Sequence, residues 1–507
     1  MNVVDYLLDN GIADDQVALL TLGADHSYGQ LRHAIGVVAS HLVSVGAKKG
    51  DRVLLMAENS FFWVVSYLGV LRAGCTVVPI APAVKSAELE YVITSCMVKF
   101  GFVHGRISRE QLAYFPPGSR IVLEELNGNL GAAERELVHF RDLLESHRVE
   151  NLSFPPIHDE TDVAAIMFTS GSTNRPRGVI VSHLNIIANT SSIVEYLALT
   201  PNDRIMVVLP FYYCFGTSLL HTHLRAGGSL VIDTRFMFPD KVLVRMQETK
   251  CSGFAGVPSH YQLLLRKSNL KKMQFPALRY VQQAGGKLSD SLIQELREAI
   301  PAVKLFVMYG QTEATARLSY LPPELLDRKA GSIGRGIPGT RLRVLDKSGA
   351  PVMVGEIGEI VAEGKNITLG YWNAQDETDL TFRNGRLHTG DLAKVDDDGY
   401  IFVVDRSKDI LKCGGKRYSC KEVEEMLMEF DGLVEAAVIG IPDELLGEAV
   451  KAFVVPQQKD ERLVDRLHSF CLQRLPAPLI PKQIVVLDEI PKNTAGKIMK
   501  PALRSMN

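Results

Sequence analysis

Asp51-Arg-Val-Leu-Leu-Met-Ala57, Ser60-Phe-Phe-Trp-Val-Val-Ser-Tyr-Leu-Gly-Val-Leu-Arg-Ala73, Thr76-Val-Val-Pro-Ile80 and the stretch from Ser86 to Cys96 follow one another closely. The first and third are short, apolar and β-branched, as strands buried on both faces are; the second and fourth have helical length and pattern. Strand and helix in alternation predict βαβ units, hence a largely parallel sheet with helices on its faces. The rhythm returns in expected strands at Arg204–Leu209, Ser229–Ile232 and Leu278–Gln282, and in expected helices at Lys241–Lys250 and Asp290–Ala299. A large α/β body is the predicted product.

Near Gly339 the texture changes. Thr340–Leu345, the turn Asp346-Lys-Ser-Gly349 and Gly358–Ala362 predict short antiparallel strands, a small β subdomain over about 339–405. After the strand Tyr400-Ile-Phe-Val-Val404, the charged stretch Asp405-Arg-Ser-Lys-Asp409 lacks apolar periodicity and is expected to join two compact parts. The boundary is therefore drawn between a domain of residues 1–405 and a smaller α+β domain of residues 406–507. In the latter, Ser419-Cys-Lys-Glu422 matches a capping box ahead of a helix, Val434–Ile439 and Lys451–Val455 read as strands, and Asp460–Leu475 as a helix.

At 507 residues the chain exceeds any single small module, and an apolar share of 46% against 22% charged suits soluble globular protein. The charge balance, 56 − 58 = −2, supplies no strong field to draw nucleic acid or an anionic membrane, so a small-molecule substrate is the default. Seven cysteines, with no CxxC pair and no zinc spacing, predict free thiols in a reducing compartment. The N-terminal residues lack a secretory pattern, and Glu58-Asn-Ser60 interrupts the longest apolar stretch, so a cytosolic protein without a membrane span is expected.

The most informative chemistry lies in Val163-Ala-Ala-Ile-Met-Phe-Thr-Ser-Gly-Ser-Thr-Asn-Arg-Pro-Arg-Gly-Val179. An apolar run empties into Thr169, Ser170, Gly171, Ser172 and Thr173, with Arg175 and Arg177 beyond. Hydroxyls, backbone N–H groups and guanidinium on one turn can surround phosphate oxygens. After Gly171 and four further residues comes Pro176 where a Walker loop has Gly, which excludes that loop, and no dinucleotide fingerprint is present there. Taken alone, such a cluster after a strand is more commonly a solvated turn.

Thr169–Gly178 resembles the phosphate-loop signature of the AMP-forming adenylating superfamily: acyl-CoA synthetases, peptide-synthetase adenylation domains and luciferase. Tyr309-Gly-Gln-Thr-Glu313, Thr389-Gly-Asp391, Asp405-Arg-Ser-Lys-Asp409 and Pro491-Lys-Asn-Thr-Ala-Gly-Lys497 resemble later motifs of that superfamily, in its order. The resemblance implies ATP and Mg²⁺ as cofactors, with Thr169, Ser170, Gly171, Ser172, Thr173, Arg177, Gly285, Tyr309, Gly310 and Gln311 around the nucleotide and Asp391 and Arg406 at its ribose. It further implies Glu313 on the metal, Thr312 on the α-phosphate, Lys497 as the catalytic lysine, Lys408 as the hinge and Gly414 and Gly415 at the acceptor channel. The small domain is then expected to rotate on its hinge between two half-reactions.

Those half-reactions would be acyl-adenylate formation from a carboxylic acid, then acyl transfer to coenzyme A or a carrier-protein thiol. Transfer to an amino-acid amine, as in coronafacate-ligase-like enzymes, is the alternative acceptor chemistry. An inactive nucleotide-binding protein and a luciferase-like oxygenase are alternatives of other classes. Pro210-Phe-Tyr-Tyr-Cys-Phe-Gly216, where the superfamily forms its acyl pocket, offers no acid to hold an α-ammonium group, which argues against an α-amino acid substrate. Tyr212, Tyr213, Val257 and Met308 are the expected pocket lining. Asn174, Arg177 and Lys287 depart from the usual pattern, and the sequence gives no reason for Lys287.

Overall fold

The computed structural model describes residues 1–506 apart from 126–135, 147–153, 170–175, 407–409, 414–415, 444–445, 459 and 493–497, and for 405, 406, 410, 412, 416 and 417 the backbone alone. Among the described residues, four sheets organise the chain. One has seven strands in the order Glu136–His139, Arg120–Leu123, Phe100–Val103, Arg52–Met56, Thr76–Pro79, Val163–Thr169 and Arg177–Ser182. A second has nine, with Lys304–Tyr309, Tyr280–Gln283, Gly253–Gly256, Arg204–Val207 and Ser229–Ile232 as its parallel centre. Both depart from the expected parallel pattern only where strands are added at an edge: Arg177–Ser182 runs antiparallel to Val163–Thr169, and Ser319–Leu321 runs antiparallel to Lys304–Tyr309. Short connections permit antiparallel return, whereas a parallel neighbour needs a longer crossover, usually a helix.

The helix Phe61–Arg72 shows why the two large sheets sit together. Trp63, Tyr67, Leu68, Val70 and Leu71 are each at most 1% exposed, so apolar residues cover its whole circumference. A helix apolar all round must be buried on every side. Here one core contains Val53, Leu55 and Val77 of the seven-stranded sheet, Ile205, Val207 and Leu230 of the nine-stranded sheet, and this helix. Each fully buried side chain of this size stabilises by about 1.5–3 kcal/mol relative to exposure, an upper figure given a partly compact unfolded chain. Helices Tyr28–Ser44, His183–Leu197 and Cys214–Ala226 share that core; the outer face of the nine-stranded sheet is covered by Pro239–Glu248, Pro258–Lys267 and Asp290–Ala299.

The third sheet holds Thr340–Leu345, Gly358–Gly364, Phe382–Arg383, Arg386–Val395 and Ile401–Arg406. The strand expected to stop at Val404 therefore continues through Asp405 and Arg406, with Arg406 opposite Asp391. Charge misled there because Ile401–Arg406 pairs within its sheet only with Arg386–Val395, and an edge strand tolerates charged residues. The fourth sheet begins at Ile410 and contains Ile410–Cys413, Lys416–Ser419, Leu433–Asp443, Gly447–Pro456 and Gln483–Val486, with helices Cys420–Met428 and Leu463–Arg474. Ser419 does cap its helix, its hydroxyl accepting from Lys421 N–H at 3.1 Å while donating to Val404 O.

Candidate active site

Val163–Thr169 of one sheet and Tyr280–Gln283 and Lys304–Tyr309 of the other carry expected site residues at or just beyond their carboxyl ends, where open α/β sheets take ligands. At the last of these, Gly310 cannot be another residue, since a Cβ there would lie 1.9 Å from Ala316 O. That close return folds Thr312–Ala314 into a 3₁₀ turn and keeps Thr312 and Glu313 beside the strand end. Gly285 follows the neighbouring strand at φ +87°, with Val257 Cγ1 only 2.9 Å from where its Cβ would stand.

Two tyrosine–carboxylate pairs define the site. Tyr309 donates its hydroxyl to Asp391 Oδ2 at 2.6 Å, and Asp391 is 4% exposed on the strand Arg386–Val395. Tyr371 donates to Glu313 Oε1 at 2.8 Å. Burial raises the Tyr371 phenol far above its usual range, and the adjacent Glu313 charge pushes the same way, so this group stays a proton donor. Tyr371 reaches Glu313 because residues 369–372 run against Arg177–Ser182: Leu369 N–H bonds Ile180 O, and Trp372 N–H bonds Gly178 O. Thr368 fixes the other end, its N–H and hydroxyl both on the Glu313 carbonyl at 3.0 and 2.9 Å.

Thr169 lies opposite Arg177 across the antiparallel pair that brackets residues 170–175. Arg177, expected at a phosphate, pairs with Glu377 Oε2 at 2.5 Å and lies 5.6 Å from the Tyr371 ring centroid. Gln311 Nε2 is buried with no hydrogen-bond partner among the described residues. Cys214 Sγ sits 3.4 Å from Thr312 Oγ1, and burial raises its thiol pKa. Of the expected site, Ser170, Gly171, Ser172, Thr173, Lys408, Gly414, Gly415 and Lys497 lie outside the described residues, and only the backbone of Arg406 is described.

Tyr212 and Val257 are buried, Tyr213 is half-buried, and the Tyr212 and Tyr213 rings lie 5.0 Å apart. Met308 is buried and accepts at Sδ from Tyr196 OH at 3.2 Å. A separate cavity behind Cys214 is lined by other residues, among them Tyr67, Met167, Asn189, Thr217 and His221. Its His221 Nε2 and Tyr67 OH are 3.0 Å apart, and burial lowers the His221 pKa to about 3, which keeps the ring neutral. Sequence reasoning missed Tyr371, Glu377 and His221; none belongs to a local motif, and only the fold brings each to its partner. Lys287 finds its reason here too, since its Nζ pairs with Glu425 of helix Cys420–Met428 at 2.6 Å.

A metal must be held by what is present. Among the described residues no group of three His, Cys, Asp or Glu could bind one. Mg²⁺ needs no such cage, because one or two carboxylates plus substrate phosphate oxygens commonly suffice. Glu313, oriented by Tyr371 and preceded in the turn by the Thr312 hydroxyl, is a donor set of that kind. No helix among the described residues is long and apolar enough to cross a membrane.

The AMP-binding enzyme family profile matches residues 12–372, and that of the AMP-binding enzyme C-terminal domain matches 422–497. A long-chain-fatty-acid–CoA ligase of Yersinia pestis is 30% identical over 523 aligned residues, covering 97% of this chain and 91% of that protein. Among solved structures, ATP-bound MatB from Rhodopseudomonas palustris is similar with a TM-score of 0.86 at 30% identity, covering 99% of this chain and 98% of the other. The anthranilate CoA ligase AuaEII, in complex with anthranoyl-AMP, is similar with a TM-score of 0.90 at 27% identity, covering 100% and 97%. With both profiles matched in order and the relatives aligned almost end to end, the chain belongs to the AMP-binding enzyme family.

Proposed function

We propose that this protein is an AMP-forming carboxylate–CoA ligase. The observation that carries the reading is the pair of tyrosine-anchored carboxylates, Asp391 on Tyr309 and Glu313 on Tyr371, at the end of one strand. A carboxylate oxygen of the acid attacks the α-phosphorus of ATP, the bond to the β-phosphate bridging oxygen breaks, and pyrophosphate leaves. The thiol of coenzyme A then adds to the acyl carbon, AMP departs with the former acyl–oxygen bond pair, and the thiol proton passes to solvent.

In this reading the buried Asp391 accepts the ribose hydroxyls, since a carboxylate can take two donors while Tyr309 holds its other lone pairs. Thr312 contacts the α-phosphate, and Thr169 and Arg177 border the β- and γ-phosphates. Arg177 must exchange Glu377 for phosphate, which Arg can do bidentately. Glu313 would hold Mg²⁺, which when bound neutralises phosphate charge. Lys497 stabilises the charge gathered as two anions meet. Residues 406–507 form the part that turns about Lys408 between half-reactions, carrying Gly414 and Gly415 toward the acceptor. Seven free cysteines, all but Cys214 buried, accord with a cytosolic setting.

ATP–pyrophosphate exchange with Mg²⁺ across a library of carboxylic acids, without acceptor, tests the first half. Acid-dependent exchange followed by thioester formation with coenzyme A is the expected result. Exchange without thioester, but with amide on added amines, would replace the thiol acceptor; absence of exchange despite ATP binding would replace the enzyme by a binding protein.

A further inference from the structure

Two buried polar side chains in the layer between the nine-stranded sheet and the helices His183–Leu197 and Cys214–Ala226 have no role in the chemistry above. Arg317 is 1% exposed, yet its Nε and Nη2 have no hydrogen-bond partner among the described residues. Its guanidinium lies 4.7 Å from the Phe215 ring centroid, and its charge stands close enough to Tyr196 to oppose the rise that burial gives that phenol's pKa. Gln282, also 1% exposed, has no partner among the described residues for either Nε2 or Oε1.

Strand alternation puts them in one layer. Tyr280, two residues before Gln282, bonds His223 of helix Cys214–Ala226 at 2.8 Å, so Gln282 points the same way. Phe306 is opposite Gln282 in register, and its ring lies 6.0 Å from that of Tyr196, the residue near Arg317. Met308, two residues further on, bonds the same Tyr196 hydroxyl. The face expected from sequence to receive the acyl group therefore carries a cation and a carboxamide, where an apolar acid would want neither.

Burying a guanidinium or an amide without a complement is costly, and the cost of the charge is the larger. A ring face covers the Arg317 guanidinium without accepting from Nε or Nη2; a planar acceptor with two oxygens would satisfy that edge of the fork. We propose that Arg317 and Gln282 form a specificity subsite at the far end of the acyl compartment, and that the activated acid carries a second carboxylate received there. The inference rests on the adenylation reading and names the acid class within it. One carboxylate of the substrate attacks phosphorus while the other is held by Arg317, with the Gln282 N–H as a further donor.

The test is pyrophosphate exchange by the full-length protein with matched sets of equal chain length: a monocarboxylic acid, the α,ω-dicarboxylic acid and its monomethyl ester. The diacid should show a KM at least about tenfold below both others, as a charge-assisted contact in a buried site requires. Arg317→Met should raise the diacid KM about 100-fold with kcat changed far less, and Arg317→Lys should recover part of it. Gln282→Leu should raise the diacid KM about tenfold and leave that of the monoacid unmoved. A wild-type KM for the monoacid or the ester equal to or below that of the diacid overturns the inference without any variant. Exchange with no acid at all overturns the adenylation reading, and the subsite with it.

Discussion

Replacing Tyr371 by Phe removes one oxygen from the centre of the proposed site and little else. The ring stays, with its edge contact to Phe382 at 5.7 Å between centroids and its face toward Arg177. The Glu313 backbone stays as well, because Thr368 holds its carbonyl through two hydrogen bonds. What is lost is the 2.8 Å hydrogen bond that aims the Glu313 carboxylate. A hydrogen bond to a charged group contributes about 1.5–3 kcal/mol, and loss of a residue that orients a metal ligand costs about 10–100-fold in metal affinity. The Mg²⁺ concentration for half-maximal pyrophosphate exchange should therefore rise about 10–100-fold in Tyr371→Phe, with exchange largely restored at saturating Mg²⁺. An unchanged Mg²⁺ dependence, whatever happens to the maximal rate, would refute the claim that Tyr371 orients a metal-binding carboxylate.

Tyr309→Phe removes the 2.6 Å hydrogen bond to the 4%-exposed Asp391 and should raise the KM for ATP by about 10–100-fold; an unaltered KM would remove Asp391 from the ribose site. Lys497→Ala should abolish pyrophosphate exchange while thioester formation from supplied acyl-adenylate persists, and equal loss of both would contradict its assignment to the first step. Lys287 and Glu425 are 33% and 38% exposed, so their ion pair contributes about 0–1 kcal/mol, and a double-mutant cycle on the ratio of exchange to thioester rates should give a coupling under about fivefold that vanishes in high salt. A salt-insensitive coupling would mean the pair does more than bias how the two parts sit. His183 and His223 are lowered by burial to about 4 and His221 to about 3, so the folded state keeps neutral rings that the unfolded chain protonates below about 6.5. Their stabilisation is complete above that pH and is lost as pH falls toward about 4, by up to about 3 kcal/mol for one such site. Tm should decline across that window; a flat Tm down to pH 4 would show that these rings are not held neutral.

Local chemistry carried far. The helix Asp290–Ala299 and the strand Ser229–Ile232 stand where their periodicity puts them, since length, apolar spacing and, for the helix, the Ser289 cap are encoded within a few residues. The same holds for Tyr309, Thr312, Glu313 and Asp391, which lie in short motifs whose order along the chain already indicated the family. The end of the strand at Arg406 was not readable, because Asp405 and Arg406 look like linker until the strand Arg386–Val395 is placed beside them.

The sequence by itself thus determined the kinds of element, the alternation that makes a parallel sheet and the motifs by which the family is known, all consequences of near neighbours. Only the tertiary structure decided which side chains meet, Tyr371 with Glu313, 58 residues apart, and Lys287 with Glu425, and that Arg317 and Gln282 are both buried. Such meetings depend on sheet register and on the closing of one part of the chain over another, and no local pattern of residues encodes those distances.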